Sequence, residues 1–364
     1  MLFKIENCSP NIYIDNLDKL RALENLINTN GLRKNIVFLD RSAINDIKNS
    51  NIYSASTKNF VIDIERQRRE YGAIVGKLAV YSIVDFDFRG VQCTRKIDQW
   101  VIKIGYNFFC DPENISPINL VTEGKLDFDF YSLIAEYYAK YLSSINLEVK
   151  FKFNNGGGSQ SKPIFDSLVN EGKIVLCITD NDKSHPNKGK GSTSSVFTTS
   201  DRSYNGKSLA YIIDVREIES LIPLKAIENT LSSNDQVDTF EEIKSLDTSY
   251  PQFRRYFDHK EGLNLENVIN IDNDYGDFWL PALSNISHFS NKECFKDRLC
   301  HKCDDCPKII GFGDKMLKRV VADLTLLKLK KIKIEPEIIL HWENIGKLMM
   351  AWGCIPASAI SRAS

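Results

Sequence analysis

Two short acidic motifs contain the side chains best suited to chemistry. Glu123 and Asp127 stand in Thr-Glu-Gly-Lys-Leu-Asp, and Asp180 and Asp182 stand in Thr-Asp-Asn-Asp-Lys. Carboxylates held close together repel each other and are tolerated mainly around a hard cation such as Mg²⁺ or Mn²⁺, which prefers oxygen ligands. If the motifs converge, we expect Asp180 and Asp182 to ligate one ion or bridge two. Glu123 would ligate as well, or act as general base or acid toward a water or leaving oxygen.

A pattern of alternating strands and helices surrounds the two motifs. Apolar runs at 118–121, 147–153 and 173–179 predict strands. Helical spacing over 128–142 and a shorter pattern over 159–169 predict the helices between them. This order favours a parallel sheet with right-handed crossovers, in which the carboxyl ends of the strands share one edge and ligands bind there. The two acidic motifs are therefore expected to converge.

A glycine loop follows the second of these strands. Gly156, Gly157 and Gly158 have no side chains, so the backbone there can approach a phosphate closely, and Lys183 is a further candidate phosphate contact. The segment 183–207 has five Lys or Arg against one Asp. This segment is either a basic loop that binds a phosphate backbone or a solvated insertion. His185 within it is either a proton donor or an exposed loop histidine.

At these residues the chain resembles the Toprim family, the metal-binding domain of topoisomerases, primases, small ribonucleases and overcoming-lysogenization-defect nucleases. Glu-Gly-Lys-Leu-Asp matches the first motif of the family, and Thr-Asp-Asn-Asp-Lys matches its Asp-x-Asp motif. The position of Asp127, the Phe-Tyr helix after it and the glycine loop look most like the Toprim effectors of bacterial anti-phage systems, such as the PARIS and retron-associated effectors. The resemblance covers 118–263, more weakly at Asp214-Val-Arg-Glu-Ile-Glu219 and Tyr256-Phe-Asp-His-Lys-Glu-Gly262.

The resemblance implies an activity and roles for individual residues. Glu123 and Asp127 would be metal ligands or the acid and base, and Asp180 and Asp182 would be shared metal ligands. Glu219 would be a further ligand, and Lys260 would stabilise the transition state. The implied reaction is Mg²⁺-dependent cleavage of RNA, with tRNA a plausible target, or of DNA. The implied role is a toxic anti-phage effector, restrained by a regulatory ATPase or by a retron reverse transcriptase with its RNA. Topoisomerase and primase activities are not expected.

The first 115 residues read as a separate α/β domain of unknown role. Strands are predicted at 35–39 and 99–104, a helix at 42–48, and a strand or a buried helix at 77–84. Four acidic residues could meet at one strand edge, as in metal-dependent PIN-type ribonucleases. Strand ends and turns attract Asp for local reasons as well, and we favour a recognition or scaffold role. These residues are Asp40, Asp63, Asp85 and Asp87.

The C-terminal region contains a cluster of cysteines. Cys294, Cys300, Cys303 and Cys306 lie within thirteen residues, which suits the four soft ligands of a structural Zn²⁺. His288 or His301 could replace one of them. An iron–sulfur cluster and unliganded or redox-active thiols are the alternatives. The other five of the nine cysteines are scattered, which favours a reducing compartment over a disulfide framework.

Composition sets limits on the class of protein. The 364 residues have a net charge of -1, which gives no global attraction to nucleic acid or membrane, although a local basic surface would suffice for nucleic acid. No apolar run approaches the roughly 18 residues of a membrane span, and no leader peptide is evident, so a cytoplasmic protein is expected.

We therefore predict an α/β protein in three parts. An N-terminal α/β domain (1–115) precedes a Toprim domain (116–225) with a parallel, Rossmann-like sheet. A helical C-terminal region (226–364) carries the zinc knot and the predicted helices at 238–246, 253–257, 316–329 and 336–352. The alternative to a nuclease is a non-catalytic module that binds nucleic acid or protein on a Toprim-like sheet.

Overall fold

The computed structural model describes residues 1–143, 145–231, 234–302 and 305–358. The strands are β1 (Leu2–Glu6), β2 (Ile36–Phe38), β3 (Val80–Asp85), β4 (Val91–Lys96), β5 (Gln99–Gly105), β6 (Asn119–Thr122), β7 (Glu148–Val149), β8 (Lys152–Asn155), β9 (Val175–Thr179), β10 (Ser208–Ile212), β11 (Gly262–Asn264), β12 (Lys308–Ile310) and β13 (Cys354–Ile355).

The helices are α1 (Leu17–Gly31), α2 (Arg41–Asn49), α3 (Ala55–Val75), α4 (Lys125–Tyr137), α5 (Ser161–Asn170), α6 (Ser192–Ser195), α7 (Leu224–Glu228), α8 (Asn234–Ser249), α9 (Leu265–Tyr275), α10 (Trp279–Leu283), α11 (Ser287–Ser290), α12 (Glu293–Asp297), α13 (Met316–Asp323), α14 (Leu326–Leu329) and α15 (Pro336–Gly353). The protein is thus a mixed α/β protein with parallel sheets, as expected.

The chain forms two compact units. The first contains Met1–Ile178, Phe197–Tyr211 and the residues from Glu343 onward, and the second contains Thr179–Val196 and Ile212–Trp342. The three-domain division made from the sequence remains a prediction.

The first unit begins with a five-stranded sheet in the order β2-β1-β3-β5-β4. Strand β1 pairs in parallel with β2 and β3, β3 pairs in parallel with β5, and β4 is antiparallel to β5. All six residues of β3 are buried, which settles the ambiguous run at 77–84 as a strand. The strands predicted at 35–39 and 99–104 and the helix at 42–48 are confirmed by β2, β5 and α2.

A four-stranded sheet in the order β10-β9-β6-β8 contains the predicted strand–helix–strand–helix–strand unit. Strand β6 is parallel to β8 and to β9, with Val121 opposite both Asn154 and Cys177. All residues of β6 and β9 are buried, as expected for strands covered on both faces. The parallel arrangement that the sequence predicted is confirmed.

The predicted strand over 147–153 is wrong in one respect. Residues 148–149 form β7, which pairs antiparallel with β13, and Lys150 donates its N–H to Gly353 at 2.8 Å. Only β8 joins the four-stranded sheet. The apolar alternation therefore continues through two strands with different partners. The helix predicted over 128–142 is α4, followed by a π-helical turn over Tyr138–Leu142.

The second unit is largely helical and includes the antiparallel ribbon β11–β12. The single helix predicted over 316–329 is divided, because Thr325 accepts the N–H of Lys328 and caps α14. Leu280 and Pro281 both lie in α10. Pro281 is the third helical residue, where a backbone N–H has no intrahelical partner, so proline is tolerated there. The other two helices predicted beyond 226 are α8 and α15, and 253–257 overlaps a 3₁₀ turn over Pro251–Arg255.

No helix in the described part of the chain combines the length and the apolar character that crossing a membrane requires.

Candidate functional site

The Asp-x-Asp motif follows β9 and forms a tight turn in the second unit. Asp180 is buried, whereas Asp182 is exposed and has a left-handed backbone with φ of 54°. The N–H of Asp182 donates to the carbonyl of Arg216 at 2.9 Å. A Cβ on Gly191 would lie 2.1 Å from the Cβ of Asp182, so glycine is required at that contact. The motif is thereby held against the segment that leads into Glu217.

Glu217, Glu219 and Lys260 form an acidic cluster beside this turn, in which the two glutamates are buried and the Lys260 side chain is 36% exposed. The Nζ of Lys260 lies 3.2 Å from Oε1 of Glu219 and 4.0 Å from Oε2 of Glu217. Glu219 is on a 3₁₀ turn over Ile218–Leu221 and is only 2% exposed. Glu217 accepts the backbone N–H of His259 at 2.6 Å. One lysine therefore lies beside two buried carboxylates. When both glutamates are ionised, the three side chains together keep a net negative charge.

The electrostatics of the cluster follow from burial and like charge. Burial, with the charge of Asp258, raises the pKa of Glu217 to about 7. Burial, with the charge of Glu217, raises the pKa of Glu219 to about 7. Burial works to lower the pKa of Lys260, but the charges of Glu219, Glu217 and Asp180 outweigh it and raise the pKa. Lys260 stays cationic, and near neutral pH the two glutamates are poised to exchange protons.

Neighbouring residues hold the cluster in place. Arg216 is paired with Asp258 at 2.6 Å, and Asp258 also accepts the backbone N–H groups of Lys260 and Glu261 at 3.1 and 2.7 Å. His259 is fully buried, and burial lowers its pKa well below the usual value. The 3.4 Å approach of its Nδ1 to Glu217 is therefore a contact with a neutral ring and not an ion pair.

The acidic cluster fits a bound cation. Oε2 of Glu219 is buried and has no hydrogen-bond partner among the described residues. Such an oxygen is costly unless a ligand or ion satisfies it, and a hard divalent cation would also relieve the repulsion between the carboxylates. Across the four described ranges, however, no three His, Cys, Asp or Glu side chains are grouped closely enough to hold a metal ion. Asp182, which is exposed, would have to approach the cluster.

Glu123 and Asp127 belong to the first unit. Glu123 follows β6 directly, and its carbonyl accepts the N–H of Gly157 at 2.8 Å. The carboxylate of Asp127 accepts the N–H of Gly124 at 2.7 Å and so caps α4. A local structural role therefore accounts for Asp127. Glu123 and Asp127 remain predicted ligands on the grounds of the motif and of the neighbouring, parallel β6 and β9.

The backbone conformation of the glycine loop favours glycine at each of its three positions. A Cβ on Gly156 would lie 2.2 Å from Oγ of Ser161 and 2.7 Å from the carbonyl of Thr122. Gly157 and Gly158 have φ of 55° and 61°, which favour glycine. The loop thus needs glycine for the local fold, and phosphate binding there remains a prediction.

The segment after the Asp-x-Asp motif is better ordered than a solvated insertion. Lys183 donates through Nζ to the carbonyl of Pro186 at 2.8 Å, which fixes the cation close to the backbone. His185 is buried, with Nε2 2.9 Å from the carbonyl of Gly276 and Nδ1 accepting the N–H of Asn187 at 3.1 Å. The reading of His185 as an exposed loop residue is wrong, and both ring nitrogens have structural partners.

An open cleft of about 540 Å³ in the second unit is lined partly by residues that support the cluster. Arg216 and Asp258 line it, with Lys188, Asn267 and Asn270 among its other walls. Cations and amides are the groups that bind phosphates and base edges. Two acids, Asp258 and Glu261, line the same cleft as the cations Lys188 and Arg216, so the charges of its lining balance.

The four acidic residues of the N-terminal region have separate local partners. Asp40 accepts the N–H of Ala43 and caps α2, Asp63 pairs with Arg66 at 3.1 Å, and Asp87 pairs with Lys19 at 3.1 Å. Asp85 is buried and pairs with Lys103 at 2.6 Å. Each of the four therefore has a structural partner, and the recognition or scaffold role of this region remains a prediction.

The cysteine segment is only partly described. Cys294, Cys300 and Cys306 line one cavity of about 30 Å³, together with residues of α9. Cys303 lies outside the described residues. His288 approaches Glu242, and His301 approaches Asp297, at 3.6 and 3.3 Å respectively.

Sequence reasoning assigned no role to Glu217, which the structure places in the cluster with Glu219. A signal was present, because Glu-Ile-Glu has the same one-residue spacing as Asp-Asn-Asp and also follows a strand. The sequence could not show that both side chains point inward, since a 3₁₀ turn begins between them at Ile218.

Comparison with known proteins gives no further guidance, since no protein-family model, no curated protein and no solved structure matches this chain.

Proposed function

We propose that the protein is a divalent-metal-dependent endonuclease that hydrolyses phosphodiester bonds of RNA or DNA. The observation that carries this proposal is the pair of buried glutamates, Glu217 and Glu219, with Lys260 beside them and beside the turn that bears Asp180 and Asp182. Two carboxylates there have raised pKa values, and one buried carboxylate oxygen lacks a partner among the described residues. Strongly perturbed carboxylates around one cation are typical of sites that bind metal and transfer protons.

Asp180, Asp182 and Glu219 would hold the Mg²⁺ or Mn²⁺. Glu123 and Asp127 belong to the first unit and are ligands that only the motif predicts. When bound, the ion supplies charge stabilisation for the phosphate and lowers the pKa of a ligated water. Glu217 would accept the proton of the attacking water, since its pKa of about 7 suits a general base at neutral pH. Lys260 would neutralise charge that develops on the phosphate oxygens.

The finer parts of the proposal come from the resemblance. The four-stranded parallel sheet would be a Toprim sheet, and the biological role would be a toxic anti-phage effector with tRNA as a plausible substrate. Restraint would come from a regulatory ATPase or a retron reverse transcriptase with its RNA. The nucleic-acid backbone would contact Lys188 and Arg216 in the cleft next to the cluster.

Cleavage assays test the proposal directly. Wild-type protein should cut at least one of a tRNA pool, single-stranded RNA and plasmid DNA in Mg²⁺ or Mn²⁺, and EDTA should stop it. Asp180→Ala should reduce the rate at least about 100-fold, the scale expected when proton transfer or metal-ligand support is lost. Asp63→Ala is the matched control, because it removes an exposed carboxylate outside the second unit.

The rival function is a non-catalytic binding module. It is favoured by the absence of a closed metal-binding group within the described ranges. If wild type and Asp180→Ala are equally inert on every substrate, with a candidate partner present, while both bind nucleic acid or protein equally well, the nuclease proposal fails and the module reading replaces it.

A further inference from the structure

The cysteine segment has features that the nuclease proposal does not use. Cys294 is buried, and Cys300 and Cys306 are half-buried. Their side chains line one small cavity whose far wall is α9, through Leu265 and Ile269. The cavity between the three thiols has a volume of about 30 Å³, which is large enough for a water molecule or an ion.

Two of these sulfurs accept hydrogen bonds from the backbone nearby. His301 donates its N–H to the sulfur of Cys294, and Lys302 donates its N–H to the sulfur of Cys300, both at 3.4 Å. Amide hydrogen bonds to sulfur stabilise thiolates and tune metal sites. Arg298 and Lys302 both have left-handed φ values near 54°, which cost energy in residues other than glycine. Such strain persists only where surrounding interactions impose it.

We propose that Cys294, Cys300 and Cys306 are ligands of a structural Zn²⁺ that fastens this segment onto α9. Zinc in structural sites takes four N or S ligands in a tetrahedron, and each thiol loses its proton on binding. The chain offers two donors for the fourth position: Cys303, by its spacing, and His301, whose ring nitrogen Nε2 lies 3.3 Å from the exposed Asp297. The three described thiols do not yet form a closed group, so binding would draw them together.

The proposed zinc also has a consequence for Lys260. Pro307, directly after Cys306, accepts the N–H of Leu265 at 2.9 Å, and β12 then pairs with β11. Gly313 donates to the carbonyl of Lys260 at 3.0 Å, and a Cβ on Gly311 would lie 2.1 Å from that same oxygen. The zinc would therefore order the β11–β12 ribbon and with it the backbone of Lys260. Its effect on cleavage rests on the proposed function, whereas the metal site does not.

Elemental analysis of the full-length protein, purified under reducing conditions without added metal, tests the site. We expect about one zinc per chain and no iron. Cys300→Ser and Cys306→Ser should each lower the zinc content about tenfold or more, because a lost ligand leaves the tetrahedron incomplete. Cys93→Ser is the matched control, since Cys93 is a half-buried thiol of the first unit, and its zinc content should stay at the wild-type level.

The zinc content of the Cys303→Ser and His301→Ala variants identifies the fourth ligand, because only the variant that lacks this ligand should lose zinc. Full zinc in both variants overturns the closed structural site. Iron in place of zinc, or no zinc even after incubation of the reduced protein with ZnCl₂, overturns the proposal altogether, as does zinc that survives in the Cys300→Ser/Cys306→Ser double variant.

Hydrogen exchange provides a readout that is independent of activity. Amides of 259–264 and 308–313 should exchange faster in Cys300→Ser than in Cys93→Ser, because the ribbon loses its anchor. If zinc is present and the ribbon is protected but no nucleic acid is cut, the zinc site stands and the nuclease proposal fails. If zinc is lost with no change in exchange, the proposed link to Lys260 is wrong.

Discussion

Asp85 in the first unit and Glu219 in the second are both buried acids. The surroundings of Asp85 stabilise its ionised form, whereas those of Glu219 do so only in part. Asp85 receives hydrogen bonds from Asn7 at 2.9 Å and from its neighbour Asp87 at 2.8 Å, and it pairs with Lys103 at 2.6 Å. Burial works to raise the pKa of Asp85, but these partners hold it below the ordinary value. Glu219 has Lys260 on one oxygen and no partner within the described chain on the other.

Under the proposed function, this difference separates an acid with a structural role from an acid with a functional role. A carboxylate whose oxygens are all satisfied has no free coordination and a lowered pKa, as a buried ion pair in a scaffold should. A carboxylate left short of partners beside a second carboxylate is destabilising on its own. Such an arrangement is expected where a ligand completes it. Both regions place acids near strand ends, so position alone does not distinguish them.

The largest expected contrast is in activity. Glu219→Gln should lower metal-dependent cleavage about 100-fold or more, because it removes a proposed ligand while keeping the shape of the side chain. Asp85→Asn should leave the rate per folded molecule within about threefold, since surface and scaffold changes away from a site act mainly through stability. Initial rates on the best substrate, normalised to folded protein by circular dichroism, measure both.

A fall in activity that is larger for Asp85→Asn than for Glu219→Gln would reverse the assignment. The active site would then belong to the five-stranded sheet, and the PIN-like reading of the N-terminal acids would return.

Much of the framework for this contrast could be predicted from the sequence. The strands β6 and β9 are short apolar runs that end in acids, and a parallel sheet follows from the helices between them. The Asp-x-Asp motif was recognisable because its residues are adjacent in the chain. Interactions that depend on distant partners were not accessible. Residues 147–153 were read as one strand because β7 has an apolar pattern like that of β8, and only the pairing with β13 separates them.

The acidic cluster itself shows the same limit. Glu219 and Lys260 were named from the resemblance, but the involvement of Glu217 depends on a 3₁₀ turn and on a bond from the backbone of His259. Sequence alone left His185 as either a proton donor or an exposed loop histidine, whereas the structure buries it against Gly276 and Phe278, which lie about ninety residues later in the chain. The sequence was enough to locate the acidic residues, but it did not show which distant residues contact them in the fold.

The second contrast is in how stability depends on pH. Glu217 and Glu219 have raised pKa values of about 7, so the folded state binds more protons than the unfolded state between pH 4.5 and 7. Stability contributed by the protonated pair is therefore present at about pH 4.5 and is lost as pH rises to 7. One group shifted by that amount corresponds to about 3 kcal/mol. Asp85 has the opposite sign, because its lowered pKa gives stability that is present above about pH 4 and lost in acid.

Urea unfolding in EDTA at pH 5, 6, 7 and 8 measures this difference. The Glu217→Gln/Glu219→Gln variant should gain stability over wild type as pH rises, whereas Asp85→Asn should lose stability relative to wild type at every pH in the series. A double variant that tracks wild type across the whole range would show that the two glutamates are not held in the protonated, buried state described here.

The smallest effect is the stabilisation by magnesium itself. An ion that binds only the folded state at ten times its dissociation constant adds about 1.4 kcal/mol, or a rise of a few degrees in the unfolding midpoint. At pH 8 wild type and Asp85→Asn should show this rise, and Glu219→Gln and Asp180→Asn should not. At pH 5 the rise should shrink in wild type, because protons occupy the carboxylates that the ion needs. Thermal melts with MgCl₂ and with KCl of matched ionic strength separate specific binding from screening. A rise that persists in both site variants but disappears in Asp85→Asn would place the cation in the first unit and not at the glutamate pair.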